Sequence, residues 1–250
     1  MSVDHKLLIC VPTYNEYENI GVLIDSLFET GLDVTVVVVD DGSTDGTQHI
    51  VSDYIKKLGD SKVILLTRTK KDGRGGAVWH GFKTLLSDRY QLYIEMDADL
   101  SHDPQDLLCG LPLFDNQTDL LIGARYPNGK IIGWPLRRRI LSKLANCLAK
   151  FLLGGNIYDY TNGYRIYSPR AIRVILSAKP RFSGFISLSE TVAICIANTL
   201  TVKAFPITFR DRSNGKSNAT FAEVMASFVG IFKISFLSRT GYYKVKKPSS

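Results

Sequence analysis

Two aspartates separated by a single residue, Asp97 and Asp99, directly follow the apolar run Leu92–Met96. On an extended segment, residues i and i+2 point to the same side, so the two carboxylates would face each other and repel. A hard divalent cation relieves that repulsion, because it binds a few protein oxygens and completes its coordination with phosphate oxygens and water. An Asp-x-Asp sequence also occurs in solvated loops, but its place at a strand end favours a Mg²⁺ or Mn²⁺ site that receives a phosphorylated ligand.

Residues suited to a nucleoside follow two earlier apolar runs. Pro12-Thr13-Tyr14-Asn15-Glu16 follows Leu7–Val11, and Asp40-Asp41-Gly42-Ser43 follows Val34–Val39. An aromatic ring can stack on a base, and a carboxylate can accept a hydrogen bond from a base N–H or a ribose hydroxyl. Polar residues of both loops are also typical helix N-caps, and capping is compatible with ligand binding.

The second half of the chain carries more basic residues than a structural role requires. Guanidinium forks suit phosphate oxygens, so we expect part of this set to meet a substrate phosphate near the metal and the rest to be solvated. The set consists of Arg125, Arg137, Arg138, Arg139, Arg165, Arg210, Arg212 and Lys216. The net charge of +7 agrees with phosphorylated ligands or an anionic membrane surface. A nucleic-acid partner is not expected, since no recognition module or interleaved aromatics accompany the basic clusters.

These loops need a scaffold that brings strand ends together, and the first half of the chain alternates short apolar runs with helical periodicity. This rhythm predicts an α/β domain with a mostly parallel sheet flanked by helices. Ligands of such sheets bind beyond the carboxyl ends of the strands, so the acidic loops Asp40–Asp45 and Asp97–Asp103 should converge on one crevice. The predicted strands are Leu7–Val11, Val34–Val39, Val63–Leu66 and Leu92–Met96, and the predicted helices are Asn15–Glu29, Thr47–Leu58 and Arg74–Leu86.

The second half is expected to complete one domain over residues 1–220, followed by an apolar and basic segment over 221–250. The apolar run Phe221–Leu237 fits either a buried core helix or an interfacial helix at a membrane, and Tyr242–Ser250 is expected to be a mobile basic tail. We expect neither a signal peptide nor a membrane span. The other predicted elements are strand Leu120–Gly123, basic amphipathic helix Leu136–Leu153, helix Arg170–Leu176, and strand Leu200–Phe209 broken at Pro206.

Several enzyme classes lack their signatures in this chain. The first turn has no Gly-x-Gly-x-x-Gly and no Gly-Lys-Ser/Thr loop follows, which excludes nicotinamide or flavin enzymes and P-loop NTPases. A nucleotidyltransferase would usually have a glycine-rich loop after the first strand. The four histidines form no triad or metal spacing, and a surface or capping role is expected for His102. The four cysteines, Cys10, Cys109, Cys147 and Cys195, are expected to be reduced and mostly buried, as in a cytosolic protein.

Taken together, the motifs resemble a family 2 glycosyltransferase with the GT-A fold. Val-Pro-Thr-Tyr-Asn-Glu, Val-Asp-Asp-Gly-Ser-Thr-Asp-Gly-Thr and Asp-Ala-Asp-Leu-Ser-His carry this resemblance. Further motifs narrow it to the dolichol-phosphate and polyprenol-phosphate mannosyltransferase group. These are Gly123–Tyr126, Gly133-Trp134 with Arg138, Ser142 and Asn146, then Asp159–Arg165, and finally Arg210–Ser217. The resemblance spans about residues 6–218.

The resemblance implies a role for each matching residue. Asp97, Ala98 and Asp99 would hold the metal and the sugar diphosphate, with Ser101 at a position where many members have a Gln that contacts metal or donor. Arg125 and Arg138 would meet donor or acceptor phosphate and act in catalysis with Asp99, and Ser142 would assist on the acceptor side. Arg212 would bind the diphosphate, with Lys216 standing in for a lysine that the family often has two positions later, at Asn218. The nucleoside pocket would be lined by Pro12, Tyr14, Glu16, Val39 and Asp41.

The implied reaction is inverting, metal-dependent transfer of a hexose, mannose first, from GDP-mannose to a polyprenyl monophosphate. The implied setting is the cytoplasmic face of the endoplasmic reticulum or plasma membrane, with peripheral contact and room for a small membrane partner subunit. Two alternatives stay open. One is a family 2 enzyme that uses a UDP-sugar or a non-lipid acceptor. The other is a catalytically impaired subunit that binds nucleotide sugar or lipid, which Ser101 and Asn218 leave possible.

Overall fold

A computed structural model of the chain describes residues 6–69, 72–211 and 221–245. Within these residues, seven strands form one sheet in the order β3-β2-β1-β4-β7-β5-β8. Only β7 runs antiparallel to its neighbours β4 and β5, so the expected mostly parallel sheet is confirmed. The strands are β1 Leu7–Thr13, β2 Val34–Asp40, β3 Val63–Thr67, β4 Leu92–Glu95, β5 Leu120–Ala124, β6 Lys130–Ile132, β7 Arg165–Tyr167, β8 Val202–Pro206 and β9 Thr208–Arg210.

Helices cover both faces of this sheet. Every residue of β2 is buried, because Val37 and Val39 pack in the core on one face while Val36 and Val38 pack in the core on the other. This double burial explains the unbroken valine run. The helices are α1 Tyr17–Glu29, α2 Thr47–Leu58, α3 Arg74–Leu85, α4 Asp106–Gly110, α5 Leu136–Leu153, α6 Pro169–Ser177, α7 Ser187–Ala197 and α8 Phe221–Arg239.

Helix α3 lies unusually close to the sheet, and a glycine permits it. A Cβ on Gly81 would lie 2.8 Å from the sulfur of Cys10 and 2.9 Å from a methyl of Val39. The close approach brings the first turn of α3, with Arg74, to the carboxyl ends of the strands, where the candidate site lies.

Several sequence-based boundaries differ from the structure. Helix α1 begins at Tyr17, because Asn15 adopts a left-handed backbone with φ of 58°. The predicted strand Leu200–Phe209 is indeed broken at Pro206, and its two parts join different sheets: β8 pairs with β5, while β9 pairs with β6. Helix α7 was not predicted, because it is buried on nearly all sides and therefore lacks amphipathic periodicity.

The thiols are divided between core and surface. Cys10 and Cys195 are buried, and burial raises the pKa of Cys195 to about 12. Cys109 and Cys147 are exposed, so the expectation of mostly buried thiols is wrong for half of the set. Both exposed cysteines lie on helices that bury only a few of their residues, α4 and α5.

Helix α8 is half core and half surface. Ile231 and Ile234 are buried in the main hydrophobic cluster, and the Ser235 hydroxyl donates to the Leu152 carbonyl at 3.1 Å. Phe232 and Phe236, on the other side, are 57% and 67% exposed. Among the described residues, none of the helices combines the length and apolar character needed to cross a membrane.

The chain after α8 is anchored, and the expectation of a mobile tail from Tyr242 onward is wrong up to Val245. Tyr243 is fully buried, and its hydroxyl donates to the carboxylate of Glu190 at 2.8 Å. Asn198 donates to the Tyr243 carbonyl and accepts from the Val245 N–H. Polar anchoring of this kind leaves no periodic signal in a sequence. Residues 246–250 lie outside the described residues.

Replacing Tyr243 with alanine is expected to destabilise the protein strongly. The substitution removes a buried aromatic ring and leaves Glu190 without one of its donors, which typically costs about 3–5 kcal/mol. Urea denaturation of Tyr243→Ala would measure this loss. Tyr242→Ala is the matched control, because its neighbouring ring is 42% exposed and should cost less than about 1 kcal/mol. Equal losses in the two variants would contradict the anchoring role.

Candidate active site

The loops after β1 and β2 are joined to each other by hydrogen bonds. The Asn15 N–H donates to the Ser43 hydroxyl at 2.8 Å, and the Asn15 side-chain oxygen accepts from the Thr44 N–H at 3.0 Å. The Glu16 N–H donates to the Thr47 hydroxyl at 2.9 Å. The capping and loop residues therefore hold Tyr14 and Glu16 beside the Asp40–Asp45 loop.

Asp40, the last residue of β2, and Asp41, the residue after it, have different partners. Asp40 is fully buried and accepts hydrogen bonds from Thr13, Ser43 and the Gly42 N–H, which shape the loop. Asp41 instead binds Arg68 through two bonds of 2.6 and 2.8 Å. A nucleoside contact of Asp41 would therefore be made by a carboxylate that Arg68 already orients.

The other predicted nucleoside residues lie at the same edge. Pro12 and Tyr14 are half-buried, and Pro12 pairs with Val39 in the parallel ladder. Val39 is fully buried with its side chain in the core, so only its main chain could contact a ligand. Contact of these residues with a nucleoside stays a prediction.

Asp97 faces a buried arginine that the sequence did not single out. The Arg74 Nε donates to Asp97, one terminal nitrogen contacts Glu95 at 3.2 Å, and the other donates to the Gly163 carbonyl at 3.0 Å. Burial alone would lower the pKa of Arg74, but the charges of Asp97 and Glu95 outweigh it and raise that pKa above the ordinary value. A basic residue opening a helix at the strand ends was the signal available for Arg74.

Asp99 and Ser101 lie in a tight turn just beyond Asp97. The Ser101 N–H donates to the Asp99 carboxylate at 3.1 Å, and Leu100 between them has a φ of 60°. Ala98 is buried beneath the turn. The Ser101 side chain is 2% exposed, and its hydroxyl oxygen has no hydrogen-bond partner. An oxygen that is buried and unpaired next to Asp99 suits a ligand that contacts this turn.

The residues at this turn fit a hard cation rather than zinc. Within the described part of the chain, no three His, Cys, Asp or Glu side chains come together as a metal cage. The turn offers the carboxylates of Asp97 and Asp99 and the hydroxyl of Ser101. Mg²⁺ and Mn²⁺ accept so few protein oxygens when phosphates and water supply the rest, whereas zinc in proteins has three or four side-chain ligands.

His102 is a buried connector, and the expectation of a surface or capping role is wrong. It is 1% exposed, and its Nδ1 accepts from the Asp97 N–H at 3.4 Å. The Nε2–H therefore donates to the Asn162 side-chain oxygen at 2.9 Å. Its ring centroid lies 5.3 Å from that of Phe209. His102 thus joins the acidic turn to the basic cluster described next.

Arg125 is the centre of that basic cluster. Its Nε and one terminal nitrogen bind the two oxygens of Asp159, each at 2.8 Å, and both side chains are buried. The rings of Trp134 and Phe209 lie 5.3 and 5.4 Å from the guanidinium carbon. Burial alone would lower the pKa of Arg125, but Asp159 raises it above the ordinary value, with Asp97 adding a smaller contribution. Arg125 is therefore a fixed, buried cation close to the acidic turn.

Arg138 and Ser142 project from α5 near Arg125. The Arg138 guanidinium lies 4.0 Å from the Trp134 ring centre and donates to Asp211 at 2.8 Å. The Ser142 hydroxyl is buried and unpaired. Arg125 and Arg138 thus share the Trp134 ring, and Ser142 lies one helical turn after Arg138 on α5. Their contact with phosphate stays a prediction. Arg212, Lys216 and Asn218 lie outside the described residues.

The remaining arginines of the set have separate environments. Arg165 is fully buried and donates to the main-chain carbonyls of Tyr160, Asn162 and Leu188, so it braces the fold and cannot bind substrate phosphate. Arg139 donates to carbonyls of Trp134 and Ile131. The side chains of Arg137 and Arg210 are exposed.

Known proteins resemble this chain in sequence. Residues 8–176 match the model of glycosyl transferase family 2. The chain is 36% identical over 231 residues to polyprenol monophosphomannose synthase of Mycolicibacterium smegmatis, covering 92% of this chain and 86% of the relative. It is 33% identical over 236 residues to undecaprenyl-phosphate mannosyltransferase of Micrococcus luteus, covering 94% and 96%.

Two solved structures illustrate the likeness of fold. Glucosyl-3-phosphoglycerate synthase of Mycobacterium tuberculosis, in complex with Mn²⁺, UDP and glucosyl-3-phosphoglycerate, has a TM-score of 0.66 at 19% identity, covering 98% of this chain and 82% of that one. A mannosyltransferase of Pyrobaculum calidifontis, with GDP-Man and Mn²⁺, has a TM-score of 0.58 at 15% identity, covering 96% and 74%.

The mostly parallel sheet, with acidic loops at the strand ends, defines a glycosyltransferase of the GT-A type. The family match over residues 8–176 and the two curated relatives make the assignment specific: this chain belongs to glycosyl transferase family 2.

Asp159→Asn is expected to destabilise the protein by about 3–5 kcal/mol at neutral pH, because it leaves Arg125 buried without its countercharge. Burial tends to raise the pKa of Asp159, but the charge and hydrogen bonds of Arg125 hold it below the ordinary value. A lowered folded-state pKa adds stability above the unfolded pKa of about 4, and that stability is lost as the pH falls through the folded pKa. The difference in the free energy of unfolding between wild type and Asp159→Asn should therefore be largest above about pH 5 and should shrink as the pH falls further.

Urea denaturation at several pH values measures this gap. Asp88→Asn provides the control, because Asp88 forms an ion pair with Arg173 while 94% of its side chain is exposed, and surface pairs contribute little. A gap that stayed constant down to pH 2, or a control loss as large as that of Asp159→Asn, would contradict the buried-pair interpretation.

Proposed function

We propose that this glycosyltransferase moves mannose from GDP-mannose to a polyprenyl monophosphate, with inversion at the anomeric carbon. The proposal is carried by one observation: the acidic turn at Asp97 and Asp99 adjoins the arginine cluster of Arg125 and Arg138, with His102 and Phe209 between them. A donor diphosphate and a second phosphate can then meet at one sheet edge. The names of the two curated relatives, which describe mannose and polyprenyl phosphates, support the same pair of substrates.

A phosphate acceptor explains why a catalytic histidine is not needed. The second pKa of a phosphate monoester is about 6, so the acceptor is already a charged nucleophile at neutral pH. The chain then has to position it and balance its charge. Arg125 and Arg138 would hold the acceptor phosphate, and the Ser142 hydroxyl would donate to it. In-line attack on the anomeric carbon opposite the leaving diphosphate inverts that centre.

The donor side would use the acidic turn and the neighbouring loops. Asp97, Asp99 and Ser101 would hold a divalent ion, Mg²⁺ or Mn²⁺, which when bound neutralises charge on the departing nucleoside diphosphate. Tyr14 and Pro12 would pack against the base, and Glu16 and Asp41 would accept hydrogen bonds from the nucleoside. Arg212 and Lys216 would add cations to the diphosphate. A UDP-sugar in place of GDP-mannose as the donor would alter only the contacts that Pro12, Tyr14, Glu16 and Asp41 make with the nucleoside.

A membrane surface is the proposed setting, because apolar side chains are exposed next to basic ones along α5 and α8. Groups of exposed apolar side chains mark interaction surfaces. For a lipid substrate, the fitting partner is a bilayer that contains anionic lipids. Lys143 and Lys233 lie on the same helices. The exposed apolar residues are Leu136, Ile140, Leu144, Phe151, Val229, Phe232 and Phe236. Residues 221–250 would thus serve both the core and the cytoplasmic membrane surface, beside the catalytic residues 1–220.

Asp99→Ala is expected to lower turnover by roughly 100-fold or more while the protein stays folded, because the substitution removes a carboxylate that would hold the divalent ion against the leaving diphosphate. The assay measures GDP release from GDP-mannose in the presence of Mn²⁺ and a polyprenyl phosphate, with circular dichroism as the folding control. Asp60→Ala, an exposed aspartate far from the turn, should retain wild-type turnover. EDTA should abolish the wild-type reaction, and added Mn²⁺ or Mg²⁺ should restore it.

Retained turnover in Asp99→Ala would exclude the metal role. A parallel screen of GDP- and UDP-sugars against the same acceptor tests the donor. Wild-type turnover with UDP-glucose but not with GDP-mannose would overturn the proposed donor, and turnover that does not require a polyprenyl phosphate would overturn the proposed acceptor. The absence of turnover with every donor would favour a binding subunit.

The double variant Phe232→Ser/Phe236→Ser is expected to reduce recovery of the protein with floating anionic liposomes several-fold. Both rings are more than half exposed, so their loss should remove membrane contact without a loss of core packing. Val22→Ser/Leu113→Ser, at equally exposed apolar positions elsewhere, is the control. Equal flotation of all three proteins would exclude this surface, and flotation only with an added membrane protein would favour a partner subunit.

A further inference from the structure

Three buried polar atoms without hydrogen-bond partners surround the Arg125 cluster. They are the indole nitrogen of Trp134, the hydroxyl of Tyr126 and the hydroxyl of Ser142. Trp134 is 7% exposed as a residue. A buried donor without an acceptor is costly, so a cluster of them calls for an explanation at this site. Ser142 already has a role in the proposed function, whereas Trp134 and Tyr126 have none.

Both aromatic rings pack around the same cation. The guanidinium carbon of Arg125 lies 5.3 Å from the ring centre of Trp134 and 6.0 Å from that of Tyr126. The guanidinium carbon of Arg138 lies 4.0 Å from the ring centre of Trp134, and the ammonium nitrogen of Lys143 lies 5.7 Å from the ring centre of Tyr126. Two polar N–H and O–H groups therefore lie among three cations.

A cavity opens beside Arg125 and Tyr126, whereas Trp134 packs against Arg125 without lining the cavity. Its volume is about 340 Å³, and Arg125, Tyr126 and Lys143 line its polar side. Leu136 and Ile140 line its apolar side, and both are partly exposed at the surface of α5. A ligand with an anionic head and an apolar tail matches this division of the lining.

The chemistry of the unpaired atoms narrows the ligand further. An indole N–H can only donate, and a phenolic O–H donates readily beside cations. Their partner must therefore be a hydrogen-bond acceptor. The adjoining cations favour a negative one, with Lys143 adding its charge to those of Arg125 and Arg138, which are paired with Asp159 and Asp211. A phosphate monoester meets both conditions with its three terminal oxygens.

We propose that the Trp134 N–H and the Tyr126 O–H are further hydrogen-bond donors to the phosphate of the lipid acceptor. This inference rests on the proposed function, and it adds two positioning residues to Arg125, Arg138 and Ser142. The two rings serve a second purpose, since they pack against Arg125 and keep its guanidinium in place. The donor role is separated from the packing role at Tyr126, because phenylalanine keeps the ring and lacks only the hydroxyl. Trp134→Phe keeps one aromatic ring but also removes part of the indole, so its melting temperature is compared alongside its KM values.

The test compares Trp134→Phe and Tyr126→Phe with wild type. Each variant should raise the KM for the polyprenyl phosphate roughly tenfold or more, because a hydrogen bond to a charged group is lost, while the KM for GDP-mannose stays within about twofold. The melting temperature without substrate should be unchanged or higher for Tyr126→Phe, since the variant removes a buried unpaired group. Tyr158→Phe is the control, because Tyr158 is exposed and has Lys150 over its ring as Tyr126 has Lys143.

An unchanged KM for the acceptor in both variants would overturn the inference. So would a parallel rise of both KM values with a lower melting temperature, which is the result that a packing role alone produces. A rise limited to the acceptor, absent in Tyr158→Phe, would support it.

Calorimetric binding of geranyl phosphate, a short soluble prenyl monophosphate, separates this inference from the proposed function. Wild type should bind geranyl phosphate and not geraniol, and each Phe variant should bind the phosphate at least several-fold more weakly. That pattern would support the phosphate donors even if no mannose were transferred. Transfer of mannose by wild type, together with equal binding of geranyl phosphate by all variants, would overturn the inference and leave the proposed function intact.

Discussion

The arrangement of the site depends on the buried ion pair between Arg125 and Asp159. A guanidinium at the end of β5 cannot be buried without a countercharge, and Asp159 supplies it through two hydrogen bonds. The pair ties the segment after α5 to the end of β5. Asn162 in that segment donates to the Gly123 carbonyl and holds His102, which in turn accepts from the Asp97 main chain. Replacing such a pair with apolar groups often raises stability, so its value here lies in the geometry that it imposes.

A second buried arginine plays the corresponding part on the acidic side. Arg74 contacts Asp97, Glu95 and the Gly163 carbonyl from the first turn of α3. The charge of Arg74 therefore balances the carboxylates of Asp97 and Glu95 within the protein itself. Asp41 is held in the same way by Arg68. These acidic side chains are thus held in place by the protein itself, which would reduce the reorganisation required for the proposed ligand contacts.

The exposed apolar surface of α5 and α8 includes helix α5, which also carries Arg138 and Ser142 of the proposed acceptor site. On α5, Arg138 and Ser142 lie on the side of the helix nearest Arg125, while Leu144 and Phe151 are exposed. Helix α8 is held on α5 through its buried side and the Ser235 hydrogen bond, and the Tyr243 anchor ties the chain after α8 to Glu190 of α7. With the proposed lipid acceptor, the helix that would bind the phosphate would also be the helix that faces the bilayer.

Much of this protein was predictable from its residues. The valine run of β2 and the regular alternation of the first half determined a parallel sheet, because burial on two faces selects unbroken β-branched stretches. The motifs at the strand ends determined the family. The sequence by itself also placed Asp97 and Asp99 at the same edge of the sheet as the Asp40–Asp45 loop. Only the tertiary structure decided which charges pair, since Arg74, Arg125 and Arg165 look alike in the sequence. Arg74 contacts the carboxylates of Asp97 and Glu95, Arg125 contacts a buried countercharge, and Arg165 contacts main-chain carbonyls. The tertiary structure also decided the buried positions of His102 and Tyr243, because hydrogen bonds between residues far apart in the chain follow no local periodicity.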